Sequence, residues 1–260
     1  MSERNGEAVL TNKVAVVTGG GTGIGRSIAR LFAARGCSVV VAGRRQEPLE
    51  EVAGEISGSA CRADVSREQD VAALFELCRH TYGGLDVLVN NAGVIGPIAE
   101  ASEMDMELWD EVMAVNVRGV ALCTKYAIPM MKERGGGSIV NVSSISGLRG
   151  YPKRSAYVAT KFAVNGITES VAHEVGEYGI RVNAVCPGAV HGELMERVVD
   201  RRVKVEGRSR EEIIKSSYTD AAALRRWVEP DEVAKATLFL ASDAASAITG
   251  EFLRIDAGRM

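Results

Sequence analysis

A tyrosine and a lysine stand four residues apart in the chain, as Tyr157 and Lys161. Helical spacing would place both side chains on one face, and an ammonium one turn from a phenol stabilises the phenolate. A tyrosine in that setting can donate or accept a proton near neutral pH. Ser143 and Ser144 end the apolar run before this helix, so a hydroxyl there would face the same crevice and hold a substrate oxygen. On its own, however, a pair of this spacing is usually part of a solvated helix surface.

A glycine-rich stretch near the amino terminus has the composition of a phosphate-binding turn. It reads TGGGTGIG at residues 18–25 and leads from an apolar run into a helical pattern that begins near Arg26. Glycines permit the tight turn, let the backbone approach a pyrophosphate and deliver it to the free N–H groups of a helix start. The alternative is a turn that only packs a helix against a sheet, because the chain has 28 glycines and the spacing alone is weak.

Short apolar, β-branched runs alternate with amphipathic helical patterns along the whole chain. Such runs are typical of strands buried on both faces, and the alternation predicts β-α-β units in a parallel sheet. No linker or repeat divides the chain, so we expect a single α/β domain with a doubly wound, Rossmann-like parallel sheet. Ser66 with Gln69 has the pattern of a capping box, and Pro230 suits the first turn of a late helix. Seven strands are predicted, at residues 13–18, 38–42, 60–65, 86–90, 138–142, 181–186 and 252–256.

Two segments lie outside this pattern. Residues 1–10 are predicted to be a disordered tail, so the domain would span residues 11–260. Residues 192–226 are highly charged, lack a strand and follow the sixth strand, which makes them a candidate substrate lid. We expect Arg201 and Arg202 of this lid to lie in solvent. Its apolar side chains are expected to turn inward over the substrate, namely Leu194, Met195, Val198 and Val199.

The composition narrows the functional classes. The chain has 260 residues, 46% of them hydrophobic, and a net charge of −3, so a large nucleic-acid surface is disfavoured. No apolar run reaches the length of a membrane span or of a signal-peptide core, which predicts a cytoplasmic protein. The odd number of cysteines and the lack of a C-x-x-C pair predict neither disulfides nor a metal site. We expect buried, reduced thiols at Cys37, Cys61, Cys78, Cys123 and Cys186.

Several short motifs occur together in the order and approximate spacing of one enzyme family. They are TGGGTGIG at 18–25, Asp64-Val65, Asn90-Asn91-Ala92-Gly93, Asn116, Ser144, Tyr157 with Lys161, and Pro187-Gly188. Through them the chain resembles the short-chain dehydrogenase/reductase family, from about residue 11 to residue 258. The members it resembles include 3-oxoacyl carrier-protein reductases and secondary-alcohol dehydrogenases. The resemblance implies a doubly wound fold that binds a nicotinamide dinucleotide.

The resemblance also implies a catalytic tetrad of Asn116, Ser144, Tyr157 and Lys161. In this tetrad Tyr157 protonates the carbonyl oxygen as hydride reaches the carbon. Ser144, thirteen residues before the tyrosine, holds that oxygen, and Ser143 is left to packing. Lys161 stabilises the phenolate and anchors the nicotinamide ribose. Asn116 would hold a water that passes protons to Lys161, and the alternative is an amide bonded within the core.

The cofactor contacts follow from the same resemblance. Asp64 would contact the adenine, unless it only caps the helix near Ser66. Asn91 would lie on the adenosine side, and Val190 would offer backbone groups to the carboxamide. Gly192 stands where many members carry a threonine, so the usual hydroxyl contact to the carboxamide is missing. The full predicted set is Gly19, Gly23, Ile24, Gly25, Arg44, Asp64, Val65, Asn91, Gly93, Tyr157, Lys161, Pro187, Gly188 and Val190.

The residues after the second strand favour NADP(H) over NAD(H). An NAD-selective site usually presents an acidic residue to the ribose about 20 residues beyond the glycines. This chain has Gly43 there, which removes a carboxylate that would repel a phosphate. Arg44 follows with a planar fork suited to a phosphate, and Arg45 is a possible second cation. The alternative is a pair of solvated loop arginines.

We therefore expect an NAD(P)-dependent oxidoreductase that acts on a ketone or secondary alcohol. The Tyr157 to Lys161 spacing argues against an enoyl reductase, and the chain after Pro187 is short for a sugar-nucleotide epimerase. Reduction of a 3-oxoacyl group on a carrier protein stays open, although the long lid favours a small molecule. A dinucleotide-sensing scaffold without turnover is a further alternative. Family membership also implies a homo-oligomer, a dimer or tetramer, through helices near residues 104–131 and 155–178.

Overall fold

The computed structural model describes residues 10–259 of the chain. Their strands form one parallel sheet in the order β3-β2-β1-β4-β5-β6-β7. All residues of β1 and β4 are buried, because helices cover both faces of the sheet. The doubly wound parallel fold in a single domain is confirmed, with every predicted strand present. The strands are β1 (Val14–Thr18), β2 (Ser38–Gly43), β3 (Ser59–Arg62), β4 (Val87–Asn90), β5 (Gly137–Val142), β6 (Ile180–Pro187) and β7 (Phe252–Ile255).

Helices pack on the two faces of the sheet and make two apolar cores. On one face Phe32 and Leu238 are buried against β1 and its neighbours, and on the other face Phe75 and Met131 fill the equivalent layer. Pro230 begins a helix, as predicted. The helices are α1 (Gly23–Ala34), α2 (Gln46–Ile56), α3 (Glu68–Tyr82), α4 (Met106–Met113), α5 (Gly119–Glu133), α6 (Ser155–Val175), α7 (Glu193–Glu206), α8 (Arg210–Ile214) and α9 (Pro230–Ala241).

The strand order reverses between β1 and β4. The chain builds outward from β1 to β3, then crosses back and adds β4 on the other side of β1. A crevice forms at such a reversal, outside the carboxyl ends of the strands. Thr18, Asn90, Val142 and Pro187 end four adjacent strands at this edge, so the segments that follow them meet there.

The start of the domain lies slightly earlier than the sequence predicts. Residues 1–9 of the predicted tail, and residue 260, lie outside the described residues. Leu10, the last residue of that predicted tail, is only 2% exposed and belongs to the apolar core. Its amide donates to the carbonyl of Arg35. Within residues 10–259 no helix is long and apolar enough to cross a membrane.

Two local expectations are wrong. Helix α3 begins at Glu68 with Arg67 at its cap and no side-chain cap bond, so Ser66 and Gln69 do not form a capping box. Ser66 instead donates to a carboxylate two residues earlier in the chain. Cys61 is only half-buried, whereas the other four cysteines are buried thiols; all five are free. Burial raises the pKa of the Cys123 thiol to about 12.

The candidate lid is helical and has a small core of its own. Residues 192–226 contain α7, α8 and a π-helical turn at Lys215–Thr219. Val199, Ile213 and Tyr218 are buried together. Leu194 is 49% exposed, whereas Val198 and Val199 are buried. The side chain of Arg202 is only 20% exposed, so its predicted position in solvent is wrong: its guanidinium donates to Glu206 and to the hydroxyl of Tyr218.

Candidate active site

The glycine-rich turn after β1 is tightly folded. Gly19 and Gly23 have positive φ angles of 64° and 53°, which favour glycine. A Cβ on Gly25 would lie 2.2 Å from the carbonyl oxygen of Gly19, so a side chain there would disrupt the turn. A Cβ on Gly23, by contrast, would meet no atom within 4 Å, and the space in front of it is open. The turn therefore leaves room for a ligand where the helix begins.

The turn leads straight into the start of α1. Thr22 caps this helix without a side-chain hydrogen bond, and the first turn carries no acidic residue. The first N–H groups of the helix are therefore not occupied by a capping side chain, and the helix dipole favours an anion. These features fit the phosphates of a dinucleotide. Ile24 packs against the core on the sheet side of this helix start.

Asn91 connects the turn to the end of β4. Its Nδ2 donates to the carbonyls of Thr18 and Gly19, at 2.9 and 3.1 Å. The hydroxyl of Thr18 in turn accepts from the amides of Asn91 and Ala92. Asn91, predicted as an adenosine-side contact, therefore also holds the glycine turn in place. Gly93 lies exposed just beyond it, where a Cβ would be 3.3 Å from Oδ1 of Asn116.

Arg44 and Asp64 follow the neighbouring strands β2 and β3. Arg44 is exposed and has no ion pair among residues 10–259. Asp64 accepts from the amide and hydroxyl of Ser66, at 2.9 and 2.7 Å. Partial burial acts to raise the pKa of Asp64, but the Ser66 hydrogen bonds and the charge of Arg44 outweigh it and lower this pKa. Val65 is 5% exposed, and its side chain packs against Gly119 in the core.

Tyr157 and Lys161 lie on one face of α6, as their spacing predicts. Lys161 is 6% exposed, and its Nζ donates to the carbonyl of Val142 at 2.8 Å. The same Nζ lies 5.5 Å from the centre of the Tyr157 ring. Ser144 follows β5, is 8% exposed, and accepts from the amide of Ser146 through its hydroxyl oxygen. That bond leaves the Ser144 proton free to be donated.

Ser143 joins the end of β5 to α6. The hydroxyl of Ser143 donates to the carbonyl of Lys161 at 3.3 Å and is 3% exposed, so it ties β5 to α6. Gly147 allows this close approach, because a Cβ there would lie 2.7 Å from the same carbonyl.

Asn116 lies in a π-helical turn, Ala114–Arg118, between α4 and α5. Its Oδ1 accepts from the amide of Val94, and its Nδ2 donates to the Val94 carbonyl and to Thr160 Oγ1. Both N–H donors of the Asn116 amide are thus used within the protein, as expected for an amide that is bonded within the core. The side chain braces the loop after β4 against α6, one residue before Lys161. A π-helical turn often occurs at a functional site.

Pro187 and Gly188 lie at the carboxyl end of β6, one of the four strands that end at the crevice. A Cβ on Gly188 would lie 2.9 Å from the Cα of Asp256, so only glycine fits against the chain after β7. Val190 pairs with Val228 in a short parallel bridge. The bridging bonds use the carbonyl of residue 189 and the amide of residue 191, which leaves the backbone groups of Val190 outside the bridge. Gly192, where the threonine is missing, caps α7 with φ of 140° and open space around it.

Arginine side chains over the rings of Tyr157 and Tyr218 are a feature that the sequence did not predict. The guanidinium of Arg154 lies 4.8 Å from the centre of the Tyr157 ring. Arg202 of α7 and Arg259 near the carboxyl end lie over the ring of Tyr218, at 5.4 and 5.1 Å. These residues are far apart in the chain, and no motif links them.

The chain is similar to known oxidoreductases over nearly its whole length. A family model described as enoyl-(acyl carrier protein) reductase matches residues 19–259. The 2,5-dichloro-2,5-cyclohexadiene-1,4-diol dehydrogenase of Sphingobium indicum is 40% identical, over 96% of this chain and 97% of that protein. The cis-4-hydroxycyclohexanecarboxylate dehydrogenase of Sinomonas cyclohexanicum is 41% identical, over 97% of this chain and 98% of that protein.

A solved structure shows the same similarity. It is a 7α-hydroxysteroid dehydrogenase complexed with NADH and 7-oxo glycochenodeoxycholic acid. Its TM-score with this chain is 0.90 at 31% identity, over 98% of this chain and 96% of that one.

Proposed function

The chain belongs to the short-chain dehydrogenase/reductase family, and from that premise we propose that Tyr157 is its proton donor and acceptor. As a family member the protein is an NAD(P)-dependent oxidoreductase that acts on CH–OH groups. The observation that carries the proposal is the placement of a buried ammonium, Lys161, on the same helix face as Tyr157 and beside the end of β5. An oxygen held at this edge of the sheet can exchange a proton with the phenol.

The cofactor site proposed for the nicotinamide dinucleotide lies along the same edge. A bound nicotinamide supplies or accepts the hydride. The N–H groups at the start of α1 bind its phosphates, since Gly19, Gly23 and Gly25 leave no side chain in the way. Asp64 contacts the adenine, and the backbone groups of Val190 hold the carboxamide. Contacts to the adenosine come from Val65, which follows β3, and from Asn91 and Gly93, which follow β4.

The tetrad residues divide the proton chemistry among them. Tyr157 gives its hydroxyl proton to the carbonyl oxygen in reduction and takes it back in oxidation. Ser144 donates a hydrogen bond to the same oxygen. Lys161 has two ammonium donors beyond its bond to Val142, and they serve the phenol and a ribose hydroxyl. Asn116 acts as a positioning residue, because its amide holds the loop after β4 against α6.

NADP(H) is the proposed cofactor in preference to NAD(H). Gly43 ends β2 without a carboxylate, and the exposed guanidinium of Arg44 follows it with no ion pair in the described chain. Arg45 donates to Thr22 at the glycine turn, which places a second cation near the same pocket. A 2′-phosphate would find two charges of the right sign there.

The proposed substrate is a small molecule with a secondary alcohol or ketone on a six-membered ring. The names of the Sphingobium and Sinomonas relatives both describe a hydroxyl on such a ring. Residues 192–226 serve as the lid over it, and a homo-oligomer through α5 and α6 is proposed for the assembly. A groove between these two helices contains Ile128, Ile167 and Val171.

A substrate screen tests the proposal. Purified protein is mixed with NADPH or NADH and cyclohexanone derivatives, or with the oxidised cofactors and the matching alcohols, and the absorbance of the reduced nicotinamide is followed. We expect turnover of at least one ring compound. A preference for 3-oxoacyl thioesters would instead support the carrier-protein reductase, and cofactor binding without turnover of any ketone or alcohol would support the sensing scaffold.

A further inference from the structure

Three guanidinium groups lie over the rings of Tyr157 and Tyr218 and share very little negative charge. This arginine cluster consists of Arg154, Arg202 and Arg259. Arg154 lies at the start of α6 against the ring of Tyr157, and the other two lie over the ring of Tyr218. They come from the helix after β5, the lid helix after β6 and the segment after β7, so they converge at the carboxyl edge of the sheet.

The charges in the cluster are not balanced within the described residues. Arg202 pairs with Glu206 and donates to the Tyr218 hydroxyl at 2.9 Å. Neither Arg154 nor Arg259 has a carboxylate within ion-pair distance in residues 10–259. The buried Nε of Arg259 has no hydrogen-bond partner among those residues.

Keeping these cations together is costly. Burial lowers the pKa of the Arg154 guanidinium, and the charges of Arg202 and Arg201 lower it further, although Tyr157 and Tyr218 oppose this. Burial lowers the pKa of Arg259 in the same way. Contacts with aromatic rings recover part of the cost, but a partly buried guanidinium without an anion is still unfavourable. An anionic ligand would supply the missing charge.

We propose that the arginine cluster binds a carboxylate on the substrate, so that the enzyme acts on small keto acids and hydroxy acids. This inference rests on the proposed function, since it names the substrate of the same site. The anion would belong to the reacting molecule, because Arg154 touches the ring of Tyr157. The dinucleotide phosphates are expected two strands away, at the turn after β1.

The geometry also limits the size of the substrate. The Arg154 Cζ lies 4.8 Å from the centre of the Tyr157 ring. A carbonyl at the phenol and a carboxylate at the guanidinium can therefore belong to one small molecule. A guanidinium fork binds a carboxylate through two parallel hydrogen bonds, which fixes its orientation as well as its charge.

Matched acids and esters test the proposal. The kcat/KM is measured for 4-oxopentanoate, 4-oxocyclohexanecarboxylate and the methyl ester of each. For the wild type we expect each acid to exceed its ester by about 10- to 100-fold, the value of a hydrogen bond to a charged group. The difference should lie mainly in KM. Equal kcat/KM for acid and ester, or a preference for a phosphorylated ketone over both acids, would overturn it.

Substitutions test whether the arginine cluster causes the preference for an acid over its ester. In Arg154→Gln and in Arg202→Gln we expect the ratio of acid to ester to fall toward one, whatever happens to the absolute rate. The ratio is the readout because Arg154 touches Tyr157 and its loss also disturbs the catalytic ring. Arg197→Gln is the matched control, since Arg197 lies on the same helix as Arg202 but points to solvent and pairs with Glu193. An unchanged ratio in both cluster variants would contradict the assignment.

Binding of an unreactive acid separates this proposal from the proposed function. Calorimetric titration of the cofactor-loaded protein with cyclohexanecarboxylate requires no hydride transfer. Saturable binding that weakens about 10-fold or more in Arg154→Gln supports the carboxylate site even if no ketone is reduced. If neutral ketones are reduced but the acid does not bind, the oxidoreductase stands and the carboxylate site is wrong.

Discussion

Within residues 10–259 the buried ammonium of Lys161 makes one hydrogen bond, which is to the backbone. Its Nζ donates to the carbonyl of Val142, and the side chain is 6% exposed. An ammonium has three donors and is costly to bury with two of them unused. We propose that these donors are completed by the hydroxyl of Tyr157 and by a ribose hydroxyl of the cofactor. A lysine on the helix surface would have no such requirement.

Arg44 is expected to select the cofactor. In Arg44→Ala the kcat/KM with NADPH should fall by about 10-fold or more, mainly through KM, because a charge-assisted contact to the 2′-phosphate is lost. The kcat/KM with NADH should change little. Both values are obtained from initial rates with one ketone at saturating concentration.

Arg79→Ala provides the control for this experiment. Arg79 is an exposed arginine of α3 that pairs with Glu133, away from the end of β2. We expect it to leave the NADPH to NADH ratio as in the wild type. If the wild-type protein uses NADH as well as NADPH or better, the NADP preference is wrong.

Single residues of the site could be predicted where spacing or motif carries the information. Tyr157 and Lys161 share a helix face, so four residues of separation are enough to bring them together. The arginine cluster is different, because Arg154, Arg202 and Arg259 are joined only by the order of the strands they follow. The internal bonding of Asn116 was likewise open in the sequence, since its partners Val94 and Thr160 lie far away along the chain.

At the scale of the element, the glycine turn is the part most sensitive to substitution. Gly25→Ala should abolish or strongly weaken cofactor binding and lower the free energy of unfolding by about 1–3 kcal/mol, because the new Cβ would lie 2.2 Å from the Gly19 carbonyl. Cofactor titration and denaturant unfolding measure the two effects.

Gly54→Ala is the matched control for the glycine turn. Gly54 lies inside α2, and a Cβ there meets no atom within 4 Å. The substitution should raise the free energy of unfolding by about 0.5–1 kcal/mol through helix propensity and leave cofactor affinity unchanged. Equal cofactor affinity in the Gly25 and Gly54 variants would argue against a phosphate site at this turn.

The lid is expected to become resistant to protease when the site is filled. Residues 192–226 carry many arginines, so trypsin cleaves there if the segment opens. Its small core around Val199 and Ile213 is separate from the two main cores, which predicts local opening at low cost. Cleavage should slow when cofactor and substrate are both present. Equal resistance with and without them would make the segment a fixed part of the fold.

Elements were predictable to different degrees for physical reasons. Most of the strands are nearly continuous apolar runs, because both faces of the central sheet are buried, and such runs are easy to recognise. The edge strands β3 and β7 are only partly buried and carry an arginine each. The lid lacks this signal, because its helices bury only a few side chains. Tertiary contacts decide which of its side chains are buried. Arg202 is an example: the charged composition of residues 192–226 predicts that it lies in solvent, but its side chain donates to the hydroxyl of Tyr218.

At the scale of the whole molecule, self-association is expected. Phe162 of α6 is 48% exposed, on one of the two helices where an oligomer is proposed. Light scattering after size exclusion should give a mass of two or four times 27.7 kDa. Phe162→Glu should lower that mass by placing charge in the interface, whereas Val205→Glu, at a 44% exposed position on α7, should not. A wild-type mass of one chain would contradict the proposal.

We predict that hydride reaches the substrate carbon while Tyr157 supplies the proton. The measurement is reduction of a ring ketone with nicotinamide cofactor deuterated at the transferring carbon, in wild type, Tyr157→Phe and Tyr178→Phe. Tyr178 is a 40% exposed tyrosine that lies over Lys132 and outside the crevice, so it controls for loss of a phenol.

We predict deuterium on the carbinol carbon of the product with the wild type and with Tyr178→Phe, at similar rates. In Tyr157→Phe the kcat should fall by about 10²- to 10⁴-fold with cofactor affinity retained, because the ring keeps its packing and only the hydroxyl is lost. Near-normal turnover in Tyr157→Phe, or a product without deuterium at that carbon, would contradict the account.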